Sequence, residues 1–227
     1  MIRYMGGKVR LSKHIVAYLE SIRQPGQTYV EPFVGGGSAI EKMTGVRVGL
    51  DINEALINFY KGIQKGWAPP DNISEEEYRR IKADGNTDDP IHAFAGLACS
   101  FGGRFWQGYA RDGRGTNYSF AAKKRILRDR HLINEVTFSC RDYKTLNPDG
   151  CLIYCDPPYL GTKSYTGAGK FDSQEFWDVM RKWRETNTVV ISEYSAPDDF
   201  ECEMEFDHFL SLRSNNRSEK RTERLFR

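Results

Sequence analysis

The sequence predicts an α/β fold, in which an open sheet carries helices on both faces. Apolar, strand-like runs alternate along the chain with segments whose apolar residues recur at helical spacing. Three of the runs end at an acidic residue, Asp51, Asp156 or Glu193, and a glycine-rich turn at residues 35–37 follows the first run. Polar residues at strand ends are typical of sheets that bind a ligand at their carboxyl edge. A chain of 227 residues has room for one such domain and a small insertion.

Composition restricts the class of protein. Hydrophobic residues make up 39% of the chain and charged residues 28%, as in soluble globular proteins. Because the net charge is only +2, a nucleic-acid surface requires local clustering of Lys and Arg. No apolar run approaches the roughly 18 residues of a membrane span, and the N-terminus lacks the apolar core of a signal peptide. We therefore expect a cytoplasmic protein with no membrane partner.

Cysteine and histidine usage predicts neither disulfides nor a metal site. The five cysteines are odd in number and contain no CxxC pair, and no histidine stands at zinc-ligand spacing from them. We expect buried thiols in a reducing cytoplasm, and no bound metal.

The N-terminal residues predict a ligand-binding turn followed by a helix. Gly6 and Gly7 lie between Tyr4 and Lys8, and a Gly-Gly turn lets backbone N–H groups approach a ligand closely. Ser12 is the expected cap of the helix. The apolar face of the helix would consist of Ile15, Val16, Leu19 and Ile22.

Residues 28–51 predict a nucleotide-binding unit. A strand at 28–30 runs into the glycine-rich turn, and a helix is expected from Ala39 onwards. The third glycine of the dinucleotide fingerprint and the lysine of a Walker loop are both missing. A second strand, at 46–50, ends at Asp51, where a carboxylate can accept hydrogen bonds from the hydroxyls of a ribose. These features together indicate a site for an adenosyl group.

Residues 62–134 differ in pattern and are expected to form an insertion of helices and loops. Within residues 101–130 the chain is rich in Lys and Arg, and the only acidic residues are Asp112 and Asp129. Aromatic residues are interleaved with the basic ones. Positive charge and aromatic rings on glycine-rich loops suit the phosphates and bases of a nucleic acid. The alternative is a solvated surface over core aromatic residues. The residues expected to contact nucleic acid are Arg104, Arg111, Arg114, Tyr118, Lys123, Lys124 and Arg128.

The rest of the chain supplies further strands and one helix. The expected strands lie at residues 136–140, 152–155, 188–192, 204–206 and 209–212. A helix is expected at 173–185, and the polar loop at 161–170 would cover the site. A basic segment at 213–224 follows the last strand-like run.

The segment Asp156-Pro157-Pro158-Tyr159 carries the strongest chemical signal. The two prolines cannot donate to a sheet ladder, so they end the buried strand and set the Asp156 carboxylate at its carboxyl end. Tyr159 adds a flat aromatic face. A carboxylate, backbone carbonyls held by proline and an aromatic ring suit a planar group that bears an amino substituent.

Six segments in this order resemble the Dam-type DNA adenine-N6 methyltransferases of the D12 class (alpha group). They are Tyr4-Met5-Gly6-Gly7-Lys8, Val30-Glu31-Pro32-Phe33-Val34-Gly35-Gly36-Gly37-Ser38, Asp51-Ile52-Asn53, Tyr154-Cys155-Asp156-Pro157-Pro158-Tyr159, Ser192-Glu193-Tyr194 and Thr222-Glu223-Arg224-Leu225. The resemblance implies a Rossmann-like, S-adenosylmethionine-dependent methyltransferase sheet at residues 1–61 and 135–227. It implies that residues 62–134 recognise the target in double-stranded DNA, and that the protein acts in bacterial or phage-infected cytoplasm.

The resemblance also implies roles for particular residues. Asp156 and the carbonyl of Pro157 would accept hydrogen bonds from the N6 amino group of a target adenine, and Tyr159 would stack on that base. Lys8 would either bond the cofactor or orient its loop. The implied catalytic residues are Asp156, Pro157, Pro158 and Tyr159. The implied cofactor-binding residues are Tyr4, Met5, Gly6, Lys8, Glu31, Pro32, Phe33, Gly35, Gly37, Ser38, Asp51, Ile52, Asp142, Tyr143 and Asp156.

Other targets would use a related site. Cytosine N4 in DNA, an exocyclic amine of RNA and a protein amide are alternative methyl acceptors. A further alternative is that the chain is a nucleotide-binding module without catalytic activity. The segment 101–109 has no obvious counterpart in members of the family that methylate GATC, so the recognition sequence is not predicted. A restriction endonuclease counterpart and the oligomeric state are left open.

Overall fold

A computed structural model describes residues 2–158, 171–212 and 217–227, with side chains described except at 208–212 and 217–221. The strands of these residues form one sheet of seven, in the order β3-β2-β1-β4-β5-β7-β6. Strands β1 to β5 pair in parallel, whereas β7 is antiparallel to β5 and to β6. The strands are β1 (Tyr29–Glu31), β2 (Arg47–Asp51), β3 (Val136–Cys140), β4 (Leu152–Cys155), β5 (Thr188–Glu193), β6 (Cys202–Leu212) and β7 (Arg217–Phe226).

Six α-helices occur in the described part of the chain. They are α1 (Ser12–Ile22), α2 (Glu54–Gln64), α3 (Glu75–Asp84), α4 (Pro90–Ala98), α5 (Tyr118–Asp129) and α6 (Ser173–Arg184). Most begin at a side-chain cap, and Ser74 and Glu77 form a reciprocal capping box at α3. The prediction that Ser12 caps the first helix is wrong. Ser12 lies inside α1, and its hydroxyl donates to the carbonyl of Val9.

The sheet buries both faces, because alternate residues of each inner strand point to opposite sides. Tyr29, Leu152, Tyr154 and Val190 belong to a cluster that includes α1 and α2. Their strand neighbours, among them Ile153 and Ile191, pack against α6 in a second cluster on the other face. The predicted α/β fold with helices on both faces is therefore confirmed.

The helix predicted after the glycine-rich turn does not form. Residues 38–42 make hydrogen-bonded turns instead, with the N–H of Lys42 donating to the carbonyl of Ala39 over 2.8 Å. The chain must return to start β2 at Arg47 beside β1, and Gly45 with φ +63° ends the turn. Turns and a bend at Gly45 therefore stand in this connection in place of a regular helix.

The insertion shares its core with the rest of the chain. Helix α4 packs on α2, α3 and α5 pack on α4, and the apolar residues of all four lie in the same cluster as the first face of the sheet. A loop at residues 99–110 emerges from this layer. The Ala110 N–H donates to the Cys99 carbonyl over 2.7 Å, and the Phe101 N–H donates to the Gly108 carbonyl over 2.9 Å, so backbone bonds close the loop at its base.

The C-terminal strands differ from the expectation. The two predicted runs at 204–206 and 209–212 form one strand, β6, and most of the basic segment at 213–224 belongs to β7. Charged residues at consecutive positions conceal the two-residue period, although Glu223 and Leu225 are both buried.

The described residues contain neither a membrane-spanning helix nor a metal-binding cluster. No helix there is long and apolar enough to cross a membrane, and no group of His, Cys, Asp or Glu is arranged to hold a metal ion. All five thiols are free, but Cys140 and Cys202 are exposed, so the expectation of buried thiols is wrong for these two.

The contact between α2 and α4 yields a prediction on stability. A Cβ added at Gly62 would clash with the ring of Pro90, so Gly62→Ala must move the two helices apart. We expect the free energy of unfolding to fall by about 1–3 kcal/mol, measured by urea denaturation. The exposed Lys65→Ala at the end of the same helix should change it by less than about 0.5 kcal/mol. A Gly62→Ala protein as stable as its control would contradict the tight docking of the insertion.

Candidate active site

A cavity of about 320 Å³ lies at the carboxyl edge of the sheet. Because β1, β2 and β4 are parallel neighbours, their last residues or the residues just after them meet at this edge. Glu31, Asp51 and Asp156 thereby line one cavity. The sequence pattern of strands that end in acids therefore corresponds to one continuous site.

Asp51 fixes the glycine-rich turn to the second strand. Its Oδ2 accepts a hydrogen bond from the Gly35 N–H over 3.1 Å, and its Oδ1 accepts one from the Asn53 N–H over 2.9 Å. The Tyr60 hydroxyl donates to the Gly35 carbonyl over 2.7 Å. Burial raises the pKa of Asp51, while the backbone N–H groups act against this shift.

The N-terminal segment lies directly on the same turn. A Cβ at Gly36 would stand 2.9 Å from Cβ of Tyr4 and 3.2 Å from the carbonyl oxygen of Ile2, so only glycine permits this approach. On its other side the segment contacts the insertion. A Cβ at Gly103 would lie 3.0 Å from the carbonyl oxygen of Arg3. The cavity wall and the insertion thus meet through three N-terminal residues.

Lys8 is buried among carboxylates. Its Nζ lies 2.9 Å from Oδ1 of Asp156 and 3.0 Å from Oε1 of Glu223, and it donates to the Gly6 carbonyl over 3.2 Å. Burial alone would lower the pKa of Lys8, but the two ion pairs outweigh it, and the pKa lies above its ordinary value. Lys8 is therefore charged at neutral pH.

Glu31 is a buried carboxyl group at the floor of the cavity. The Tyr29 hydroxyl donates to its Oε1 over 2.5 Å. Burial raises the pKa of Glu31 to about 8; the Tyr29 hydrogen bond lowers this pKa, and the charge of Asp156 adds to the rise. At neutral pH Glu31 is mainly protonated and can donate as well as accept.

The far end of the cavity is aromatic. The rings of Phe33 and Tyr143 have centroids 5.0 Å apart, and Phe171 lies against both of them. The Tyr143 hydroxyl is buried and has no hydrogen-bond partner among the described residues. An aromatic wall with a polar group at its edge suits a flat heterocycle.

The cavity brings together most of the predicted site residues. Every implied cofactor-binding residue lines it except Gly37, whose Cβ position faces the Tyr60 hydroxyl at 3.0 Å. Asp156, Pro157 and Pro158 line the cavity as well, whereas Tyr159 and the loop at 161–170 lie outside the described residues. Lining residues to which the sequence assigned no role at the cofactor are Gly7, Val34, Gly36, Ala39, Asn53, Arg141, Lys144, Tyr154, Phe171 and Asp172. Gly7, Val34, Gly36, Asn53 and Tyr154 lie within the motifs named from the sequence.

Several basic residues of the insertion form ion pairs with carboxylates. Lys123 pairs with Asp71 over 2.8 Å, and Arg111 pairs with Glu75. These carboxylates are distant in sequence, so the predicted basic surface is less positive than its composition indicated. Arg128 pairs with its neighbour Asp129, as composition allowed. Arg104, Arg114 and Lys124 are exposed, and Tyr118 is half-buried.

Comparison with known families finds a match over two segments that cover nearly the whole chain. A family model described as D12 class N6 adenine-specific DNA methyltransferase matches residues 4–95 and 103–220. The gap at 96–102 contains the start of the loop at 99–110. No curated protein sequence matches the chain significantly.

Solved structures similar to this chain include two methyltransferases. A magnesium protoporphyrin IX methyltransferase from Synechocystis PCC 6803, crystallised with bound S-adenosylmethionine, is 12% identical with a TM-score of 0.41, covering 98% of this chain and 80% of its own. An rRNA methyltransferase from Streptomyces viridochromogenes is 14% identical with a TM-score of 0.41, covering 96% and 83% respectively.

The raised pKa of Glu31 predicts how stability depends on pH. Between about pH 5 and pH 8 the folded protein holds a proton on Glu31 that the unfolded chain has released, so stability falls as pH rises through this window. In Glu31→Gln this contribution to the slope disappears. Urea unfolding at several pH values in this window measures both slopes. The exposed Glu76→Gln should keep the wild-type slope, and equal slopes in all three proteins would contradict the protonation of Glu31.

Proposed function

Because the chain belongs to the D12 class of N6 adenine-specific DNA methyltransferases, we propose that it methylates the N6 amino group of an adenine within a short sequence of double-stranded DNA. The methyl donor is S-adenosylmethionine. In this proposal the adenine rotates out of the duplex into the cavity. The observation that carries the proposal is the position of Asp156, followed by Pro157, at the end of β4 in the cavity wall.

The cavity has the chemistry that S-adenosylmethionine requires. Phe33, Tyr143 and Phe171 form an aromatic wall for the adenine ring, and Asp51 stands at the end of β2, where a ribose would meet it. The negative charge of Asp156 suits a sulfonium. When bound, the cofactor supplies an electrophilic methyl group. The residues present therefore fit the cofactor.

Asp156 would act on the amino group of the target base. The lone pair of adenine N6 is delocalised into the ring, so the nitrogen is a weak nucleophile. Two acceptors, the Asp156 carboxylate and the Pro157 carbonyl, would bind its two hydrogens and favour a pyramidal nitrogen. Asp156 would also offset the positive charge that develops on nitrogen, and it stands where it can take the proton that the nitrogen loses.

Holding the two reactants in line would provide much of the remaining rate enhancement. Neither a covalent enzyme intermediate nor a metal enters this mechanism. Unpairing the base costs a few kcal/mol. We assign the contacts that offset this cost to the insertion at residues 62–134, whose exposed Arg104, Arg114 and Lys124 can meet phosphates.

The first test of the proposal is Asp156→Ala. The variant should fold and bind S-adenosylmethionine, because Lys8 keeps its contact with Glu223. Its rate of methyl transfer to DNA should fall by at least about 100-fold. The control is Asp149→Ala, an exposed residue before the opposite end of the same strand, which should keep the wild-type rate. Sequencing with modified-base detection, on DNA from a methylation-free host, identifies the product. Turnover in Asp156→Ala like that of wild type, or methylcytosine in place of N6-methyladenine, would contradict the proposal.

The second test concerns the DNA surface. Lys124 is exposed on α5, with its Nζ 5.5 Å from the ring centroid of Phe120. If Lys124 meets a phosphate, Lys124→Glu weakens DNA binding, and the slope of log Kd against log salt concentration falls by about 1.

Lys182→Glu is a matched control, because Lys182 is an exposed lysine on α6, which covers the opposite face of the sheet. It makes the same change in net charge and should leave both quantities unchanged. Equal effects of the two variants would show that only overall charge matters and that α5 is not part of the DNA surface.

A further inference from the structure

The ammonium group of Lys8 has all of its donors engaged. A lysine ammonium carries three N–H donors and no acceptor. Three acceptors surround Nζ of Lys8, one each from Asp156, Glu223 and Gly6, at 2.9, 3.0 and 3.2 Å. Of the two roles that family resemblance implies for Lys8, this geometry favours orienting the loop over bonding the cofactor.

Glu223 reaches this group through the register of β7. Leu225 pairs with Ser192 and Arg224 with Glu193, so Glu223 is the first residue of β7 beyond the end of β5. It therefore stands at the same edge of the sheet as Asp156. Leu225, two residues along, packs in the cluster that contains α1. Glu223 points to that same face, where Lys8 precedes α1.

We propose that Glu223 is a positioning residue for methyl transfer, which holds Lys8 so that Lys8 in turn fixes the Asp156 carboxylate. This inference rests on the proposed function. An ion pair to one carboxylate oxygen sets the direction in which the other oxygen points, and the amino group of the target base needs an acceptor in one direction only. Glu223 has no contact with either reactant in this scheme.

Charge supports the same role. Lys8 and Asp156 are 7% and 22% exposed in their side chains, and Glu223 is 6% exposed, so water screens these charges weakly. Lys8 divides its charge between two carboxylates. Without Glu223, its whole charge would act on Asp156, and Asp156 would become a weaker acceptor for an amino hydrogen. Without Lys8, Asp156 and Glu223 would repel each other.

The test is a double-mutant cycle with Glu223→Gln and Lys8→Met. We expect Glu223→Gln to lower the single-turnover rate of methyl transfer to duplex DNA by about 10- to 100-fold. The Kd for S-adenosylmethionine, measured by calorimetry, should change by less than about threefold. In the Lys8→Met background, Glu223→Gln should cause no further loss, because the contact through which it acts is gone. Glu223→Asp keeps the charge on a shorter side chain and should recover part of the rate.

Glu205→Gln is the matched control. Glu205 pairs with Arg224 over 2.6 Å on the exposed side of the same hairpin, and its loss should leave the rate unchanged. Thermal unfolding of every variant shows whether it is folded, and Glu223→Asp replaces Glu223→Gln if the latter is not. A wild-type rate in Glu223→Gln, or the same fold loss with and without Lys8, would overturn the inference.

Failure of the proposed function gives a different result. In that case the wild-type chain transfers no methyl group to DNA. The Lys8–Glu223 contact is then tested by the unfolding midpoints of the same four proteins. Changes in midpoint that simply add would overturn the inference as well, while coupled changes would support the positioning of Lys8 for another acceptor.

Discussion

Repulsion among carboxylates is the constraint on which this site depends. Parallel strands place Glu31, Asp51, Asp156 and Glu193 at one edge of the sheet, where burial would make four negative charges costly. Each charge is offset in its own way. Glu31 binds a proton, Asp51 accepts backbone N–H groups, Asp156 pairs with Lys8, and Glu193 accepts the N–H of Tyr194 over 2.9 Å. The carboxyl edge of the sheet therefore keeps its hydrogen-bond acceptors at a low electrostatic cost. These acceptors can contact a positively charged ligand.

Much of the fold and of the site could be predicted, because the relevant signals are local in sequence. Proline and glycine act on the backbone locally. The prolines after Asp156 and the glycines before Asp51 therefore indicated strand ends and turns at the right positions. The periodicity of apolar residues located α1 and α6 to within a few residues. The family resemblance added the cofactor, which the residues of the cavity fit. Roles within the site remain predictions until variants are measured.

What the sequence did not reveal depends on contacts between distant segments. The helix expected at Ala39 is only a turn, since the need to begin β2 beside β1 overrides local propensity. Asp71, which pairs with Lys123, is far from it in sequence, so the basic surface was overestimated. Glu223 lies in a run of charged residues and gives no periodic signal, although its buried position follows directly from the register of β7 against β5.

The closed base of the loop at residues 99–110 has a consequence for how this protein can diversify. A hydrogen bond from the Ala110 N–H to the Cys99 carbonyl closes the base of the loop, and the helices beside it belong to the common core. Changes in α3, α4 or α5 would therefore disturb the whole domain, and so would changes at Phe105 and Trp106, whose rings pack against that core. The exposed side chains of Phe101 and Arg104 can vary at little cost to folding. If the insertion reads the DNA target, related chains could change these exposed side chains to recognise new target sequences, while the cavity and its chemistry stay the same.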